Sequence, residues 1–196
     1  MNKENLLKQL EKVRENDFYD NEDLKNLLIE KFFPSSTSVL TLDLSNITSA
    51  FYGLLLNNIG EKIGFESIDD ISKKTFYDLG QAKSKQCLGK YENIPKDSRT
   101  FLIVLISAIY NASPEYSFKI LEFNKNRTVF ELNGIDRYLR ILNNLSISQY
   151  ITFPTLIPFM DGIKDYYKIN SSMDVDFEII NKDMNEVKCI YKFELN

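Results

Sequence analysis

The residues best suited to chemistry in this chain are two cysteines, Cys87 and Cys189, and three acidic sets, Glu22-Asp23, Asp69-Asp70 and Asp174/Asp176/Glu178. A thiol acts as a nucleophile or metal ligand when it is reachable and ionised. Cys87 falls near the end of a helical stretch, just before Gly89, where it could open onto a pocket. The competing fate is an inert buried thiol, because free cysteine is among the most buried residue types. Cys189 sits mid-strand on the inward side and reads as core. Paired carboxylates do acid/base work or bind cations. The set at 174–178, however, is spaced along one strand face, which reads as a solvated face balanced by lysines. Gly60 and Gly64 make no phosphate-binding loop, and no dinucleotide fingerprint is present.

The chain of 196 residues has no histidine. That removes Ser-His-Asp and Cys-His nucleophilic systems, imidazole-bound zinc and imidazole-bound haem. It also removes the side chain that most readily exchanges protons near neutrality. Catalysis would have to rest on carboxylates, Lys, Tyr or Cys. Net charge is −4 and the pI is near 5.1. Nucleic-acid binding draws on basic patches, and the densest lysine cluster, 83–90, is short and diluted by polar residues, so no nucleic-acid partner is expected. Two distant cysteines make no disulfide framework. The N-terminus lacks an apolar signal core, and the run from Phe101 to Tyr110 is too short for a membrane span. A cytoplasmic location without a membrane span is the expectation.

The elements that must position these residues follow from periodicity. Hydrophobic residues are 43% of the chain, and 14 Phe with 11 Tyr can bury large areas. Leu6, Leu7, Leu10 and Val13, then Leu24, Leu27, Leu28 and Phe32 behind Asn21, predict a helical hairpin over residues 1–33. Its acidic balance speaks against a DNA-binding helix-turn-helix. Residues 34–38, Pro34-Ser35-Ser36-Thr37-Ser38, read as a linker, with the main domain over 39–196. Ser45 is expected to cap a helix striped by Ile47, Phe51, Leu54, Leu55, Ile59 and Ile63. Ser67 and Asp70 resemble a capping box, opening a helix that ends at Gly89. Asp97 or Ser98 caps an apolar, buried central helix over 101–110. Tyr116 to Phe123 and Arg127 to Gly134 predict a hairpin around Asn124-Lys125-Asn126. Residues 136–148 suggest a short helix, and Pro154 and Pro158 sit at the start of another, where Pro is tolerated in the first turn. Two alternating runs, Met173/Val175/Phe177/Ile179 and Val187/Cys189/Tyr191/Phe193/Leu195, predict a half-exposed antiparallel hairpin. The fold class is therefore α+β. A helical first half packs on a four-stranded antiparallel sheet made of two hairpins separated by a helix.

This order resembles a superfamily that includes bacterial 4-vinyl-reductase-like small-molecule-binding domains, a class of subunits of the TRAPP tethering complex, and haem nitric-oxide-binding domains. Three stretches carry the resemblance: Phe51-Tyr52-Gly53-Leu54-Leu55 with Leu79-Gly80, the hairpin 116–134, and Phe159-Met160-Asp161-Gly162-Ile163 followed by Val187-Lys188-Cys189-Ile190-Tyr191. It implies the scaffold and its pocket. The haem histidine of one branch and the cysteine clusters of another are not in this sequence, so no cofactor is expected.

By that resemblance the chain is expected to be a binding or sensory domain for a small hydrophobic molecule or an acyl chain, without catalysis. Its pocket is expected among Phe51, Tyr52, Leu55, Cys87, Val104, Ser107, Ala108 and Tyr110, with Tyr52, Ser107 and Tyr110 as the polar groups. A second expectation is a protein-interaction module that forms a homodimer. A third is a divergent hydrolase relying on Cys87. The competing reading of the apolar helices is a dry, close-packed core.

Overall fold

The structure, a computed structural model, describes residues 8–9, 15–18 and 21–196, with the side chains of 110–112 outside that description. The first helix of the expected hairpin, carrying Leu6, Leu7, Leu10 and Val13, lies for the most part outside the described residues. The second helix of the expected hairpin is present as α1, Glu22–Lys31. Asn21 accepts a hydrogen bond from the Leu24 N–H at 3.1 Å, with Glu22 and Asp23 in the first turn and Lys31 in the last.

Helix α2 runs Thr37–Ile63 and begins earlier than the pattern suggested. Ser36 is its cap, accepting from Val39 N–H at 3.2 Å. Ser45 is no cap but a buried residue in mid-helix whose hydroxyl serves a tertiary contact described below. A capping serine and a polar interior serine look alike in sequence. Gly64 ends the helix at φ 104°, a conformation that suits glycine. Among the described helices, α2 is the one long and apolar enough to cross a bilayer by length and composition.

Helix α3, Ile68–Lys90, follows a short 3₁₀ turn. The expected capping box does not form, since Ser67 makes no side-chain cap bond and is itself helical in conformation. Asp69 is used instead, tying Thr152 through its N–H and hydroxyl, each at 2.8 Å. Gly89 lies inside the last turn, and the helix closes at Tyr91. Helix α4, Arg99–Ala112, is the buried central helix that its composition predicts, with Phe101, Leu102, Val104, Leu105 and Ile109 in the core. Of its two candidate caps, Asp97 receives Arg99 N–H, while the Ser98 hydroxyl donates to Asn124 C=O.

Strands β1, Tyr116–Phe123, and β2, Arg127–Ile135, form the first hairpin. Helix α5, Arg137–Asn144, is capped by Asp136, whose carboxylate accepts from Tyr138 and Leu139 N–H. Helix α6, Leu156–Tyr167, leads into the second hairpin, β3, Ser171–Asn181, and β4, Glu186–Leu195. The sheet is antiparallel throughout with order β1-β2-β4-β3. The two hairpins therefore join through β2 and β4, with Phe130 opposite Tyr191 and Leu132 opposite Cys189. One face buries Val187, Cys189, Tyr191 and Phe193 alternately, and Phe193 stacks on Phe101 of α4 at 4.1 Å. On the other face Lys192 bridges Asp174 and Asp176 at 2.9 and 2.8 Å, while Lys188 turns to Glu131 at 3.0 Å.

Helices α3 and α6 touch at backbone distance. A Cβ on Gly80 would lie 2.1 Å from the Phe159 carbonyl oxygen, and one on Gly162 would lie 2.1 Å from that of Tyr77. Only glycine permits this approach.

Candidate functional site

Helical spacing on α3 places Lys83, Cys87 and Lys90 on one face, and α4 answers with Ile103 and Ser107. Together with Gln86, Tyr91 and Ile94 these residues line an open cleft of about 190 Å³. Its polar floor is a single pair, the Cys87 sulfur and the Ser107 hydroxyl oxygen 3.0 Å apart. The Cys87 residue is 8% exposed. Ile94 is buried beside it, and the lysines stand at the rim. Lys83 donates to the Gln86 side chain at 2.8 Å. The cleft thus offers apolar walls, two small hydrogen-bonding groups at depth and two cationic ammoniums at its mouth.

Beneath the opposite end of α4 lies a second concavity of about 410 Å³, bounded by Thr37, Ser38 and Thr41 of α2, by Ile109, Ser113 and Pro114, and by Tyr116 and Phe118 of β1. Behind it runs a buried polar network. The Ser45 hydroxyl contacts both oxygens of Glu115 at 3.0 Å, and Arg137 donates to the same hydroxyl at 2.7 Å. The other Arg137 terminal nitrogen donates to Tyr138 Oη at 2.6 Å, and the guanidinium lies 4.7 Å from that ring. Arg137 is 3% exposed. Two opposite charges therefore sit in the interior with a serine between them, which ties α2 to α5 and to the start of β1. Burial pushes the Asp136 carboxyl up, against the N–H groups of Leu139 and Tyr138 and the Tyr116 hydroxyl. Burial likewise raises the Tyr52 phenol, which shares a 2.7 Å hydrogen bond with Ser72.

The eight residues anticipated as a pocket separate. Cys87 and Ser107 come together. Tyr52 is packed edge-on against Phe76 and Tyr138 and belongs to the core. Val104 is fully buried, and Ala108 is half-buried against the same core. Phe51, 70% exposed, and Leu55 lie on the outward face of α2. The side chain of Tyr110 lies outside the described residues. Cys189 is core, and burial first, then the nearby Asp136 charge, pushes its thiol up to about 12. The residues the pattern missed are the lysines at 83 and 90, Ile103, and the buried Arg137. The first two were legible as a one-face 83/87/90 spacing. Arg137 carried no local signal.

No family model matches the sequence. No curated protein matches it either. Two solved structures share part of its chain path, an Fe(II) unliganded H-NOX protein from K. algicida and a single-residue mutant of it. They are 20% and 19% identical to this chain, with TM-scores of 0.41 and 0.40, over 72% of this chain and 71% of each of theirs. At that overlap no ligand transfers from them. This chain has no imidazole to offer an iron, and its described residues hold no cluster of three His, Cys, Asp or Glu placed for a metal. The fold and site define an α+β domain with an apolar cleft between two helices.

Proposed function

We propose that the chain binds, without catalysis, a small and mainly apolar molecule with an anionic end, in the cleft between α3 and α4. The observation that supports this reading is the cleft's layout, with apolar walls over the Cys87–Ser107 pair and Lys83 and Lys90 at the mouth. Binding sites for small molecules share this build of apolar lining with few polar groups. The volume, about 190 Å³, is near the roughly 150 Å³ that accommodates a single benzene-sized ring. A short acyl chain or one-ring carboxylate matches it, with the carboxylate toward the lysines.

Isothermal titration with octanoate, benzoate and the uncharged octanol tests this. The acids are expected to bind more tightly than the alcohol. Lys90→Gln should narrow that difference, and Ser107→Phe should fill the cleft and abolish binding. Equal affinity of the Ser107→Phe protein, or no heat from any of the three ligands, would overturn the proposal.

A further inference from the structure

The concavity under the far end of α4 measures about 410 Å³, against about 190 Å³ for the α3–α4 cleft, and the two share no lining residue. The larger one lies within the roughly 300–1,000 Å³ typical of ligand pockets. Its sides differ in chemistry. One side is the first turn of α2. A helix leaves its first N–H groups without intrahelical partners. The Val39 N–H is taken up by the Ser36 hydroxyl at 3.2 Å. Those of Thr37 and Ser38 have no hydrogen-bond partner among the described residues. No acidic residue stands in that turn, so the positive end of a 27-residue helix is uncompensated.

The other side is apolar and aromatic, made by Ile109 of α4 and by Tyr116 and Phe118 of β1. Tyr116 gives its hydroxyl to the buried Asp136 carboxyl, which leaves its ring for the cavity. Ser113, which closes α4, lines the same space. It is 7% exposed, yet its hydroxyl has no hydrogen-bond partner among the described residues. Buried hydroxyls are as a rule hydrogen-bonded, and one that is not calls for a partner from outside the chain. None of the described lining residues is charged. Glu115, next to Pro114 in the chain, turns its carboxylate to Ser45 and Arg140.

We infer that this concavity is a second binding site, for a flat apolar monoanion of two-ring size. Its oxyanion lies on the Thr37 and Ser38 N–H groups and the Ser113 hydroxyl, and its rings lie against Ile109, Tyr116 and Phe118. Helix N-termini bind oxyanions through free N–H groups and the dipole together. The dipole supplies only about half a positive charge, and no ammonium or guanidinium among the described lining residues assists it. The C-terminal end of α4, a partial negative charge, borders the same space through Ser113. A single charge, as on a carboxylate or sulfonate, is therefore favoured over the double charge of a phosphate ester. A cavity of roughly 150 Å³ holds one benzene-sized ring, so about 410 Å³ has room for a fused pair and its head group.

Isothermal titration of the full chain with naphthalene-2-sulfonate, the uncharged naphthalene-2-sulfonamide and 2-naphthyl phosphate tests this. The sulfonate is expected to bind about ten-fold more tightly than the sulfonamide, the difference that one hydrogen bond to a charged group supplies. It should also bind more tightly than the phosphate. In nitrogen-15 spectra the Thr37 and Ser38 amides should shift as sulfonate is added. Ser38→Asp places a carboxylate where the dipole stabilises one, so the variant should be no less stable, yet its sulfonate affinity should fall by at least about ten-fold. Ser113→Ala should weaken binding by about three-fold or more without lowering thermal stability, because the hydroxyl it removes has no protein partner. Ser107→Phe, which fills the α3–α4 cleft, should leave sulfonate affinity unchanged, so the two sites stand or fall separately. Full sulfonate affinity in Ser38→Asp, equal affinity for sulfonate and sulfonamide, loss of the sulfonate in a folded Ser107→Phe protein, or no heat from any of the three ligands would each overturn the inference.

Discussion

Arg137 and Glu115 illustrate how much one buried pair of charges constrains the chain. Removing Arg137 leaves Glu115 to the partly exposed Arg140, 3.8 Å away, and loses the buried hydrogen bonds to Ser45 and Tyr138, at a cost of about 1–3 kcal/mol. Arg137→Met is therefore expected to lower stability by about that amount in urea denaturation, and a second change, Glu115→Gln, should recover part of it. Asp69 gives a pH signature. Burial raises its carboxyl, but hydrogen bonds from Lys73 and from the Thr152 N–H and hydroxyl outweigh burial and hold it below the ordinary value. A carboxyl depressed in the folded state stabilises above its unfolded pKa, and the stabilisation is lost as pH falls through the folded one. The stability gap between wild type and Asp69→Asn should thus be full above about pH 4 and shrink as the solution is made more acidic. A gap that stays constant down to acid unfolding would show that the Asp69 contacts do not persist in solution.

At the scale of elements, the α3–α6 contact rests on two glycines. Gly80→Ala and Gly162→Ala each drive a methyl into a carbonyl of the facing helix, and backbone cannot step aside as a flexible side chain does. Each is expected to cost about 1–3 kcal/mol by overpacking. Gly89→Ala, where a Cβ meets nothing within 4 Å, is the matched control and should be neutral or slightly stabilising. The strands and the central helix were legible because their signals are local. Alternation in 173–179 and 187–195 stands on its own, and so does an apolar decamer behind an Asp cap. Helix starts were less so. Ser45 and Ser67 both satisfy the local rule for a cap, and tertiary contacts gave one to Glu115 and left the other without a side-chain bond.

At the scale of the whole molecule the main core joins α3 through α6 to the sheet, and a smaller cluster of Leu56, Ile68, Leu142, Ile147 and Ile151 packs α2 against α5. Phe193 is at the centre of the main core, stacked on Phe101 and beside Phe130. Phe193→Ala should cost about 3–5 kcal/mol, and fluorescence and circular dichroism should report the loss at one common midpoint, since the sheet and the helices share that core. Separate midpoints would mean that the sheet and helices unfold independently.

Composition by itself determined that this chain has no imidazole chemistry, and periodicity determined its α+β order and hairpin pairing. Both follow from residue types and short-range spacing. What only the tertiary structure decided was which apolar stripes meet. Phe51 and Leu55 of α2 and Val104 of α4 look equally like pocket walls in sequence, yet one helix turns its large residues outward and the other inward. That choice is set by small residues on the buried side of α2 and by a serine between two buried charges. These are contacts between positions 45, 115 and 137, far apart in the chain, for which local spacing carries no record. Cys87 and Ser107 were each conspicuous alone, and the packing of α3 against α4 made them one site.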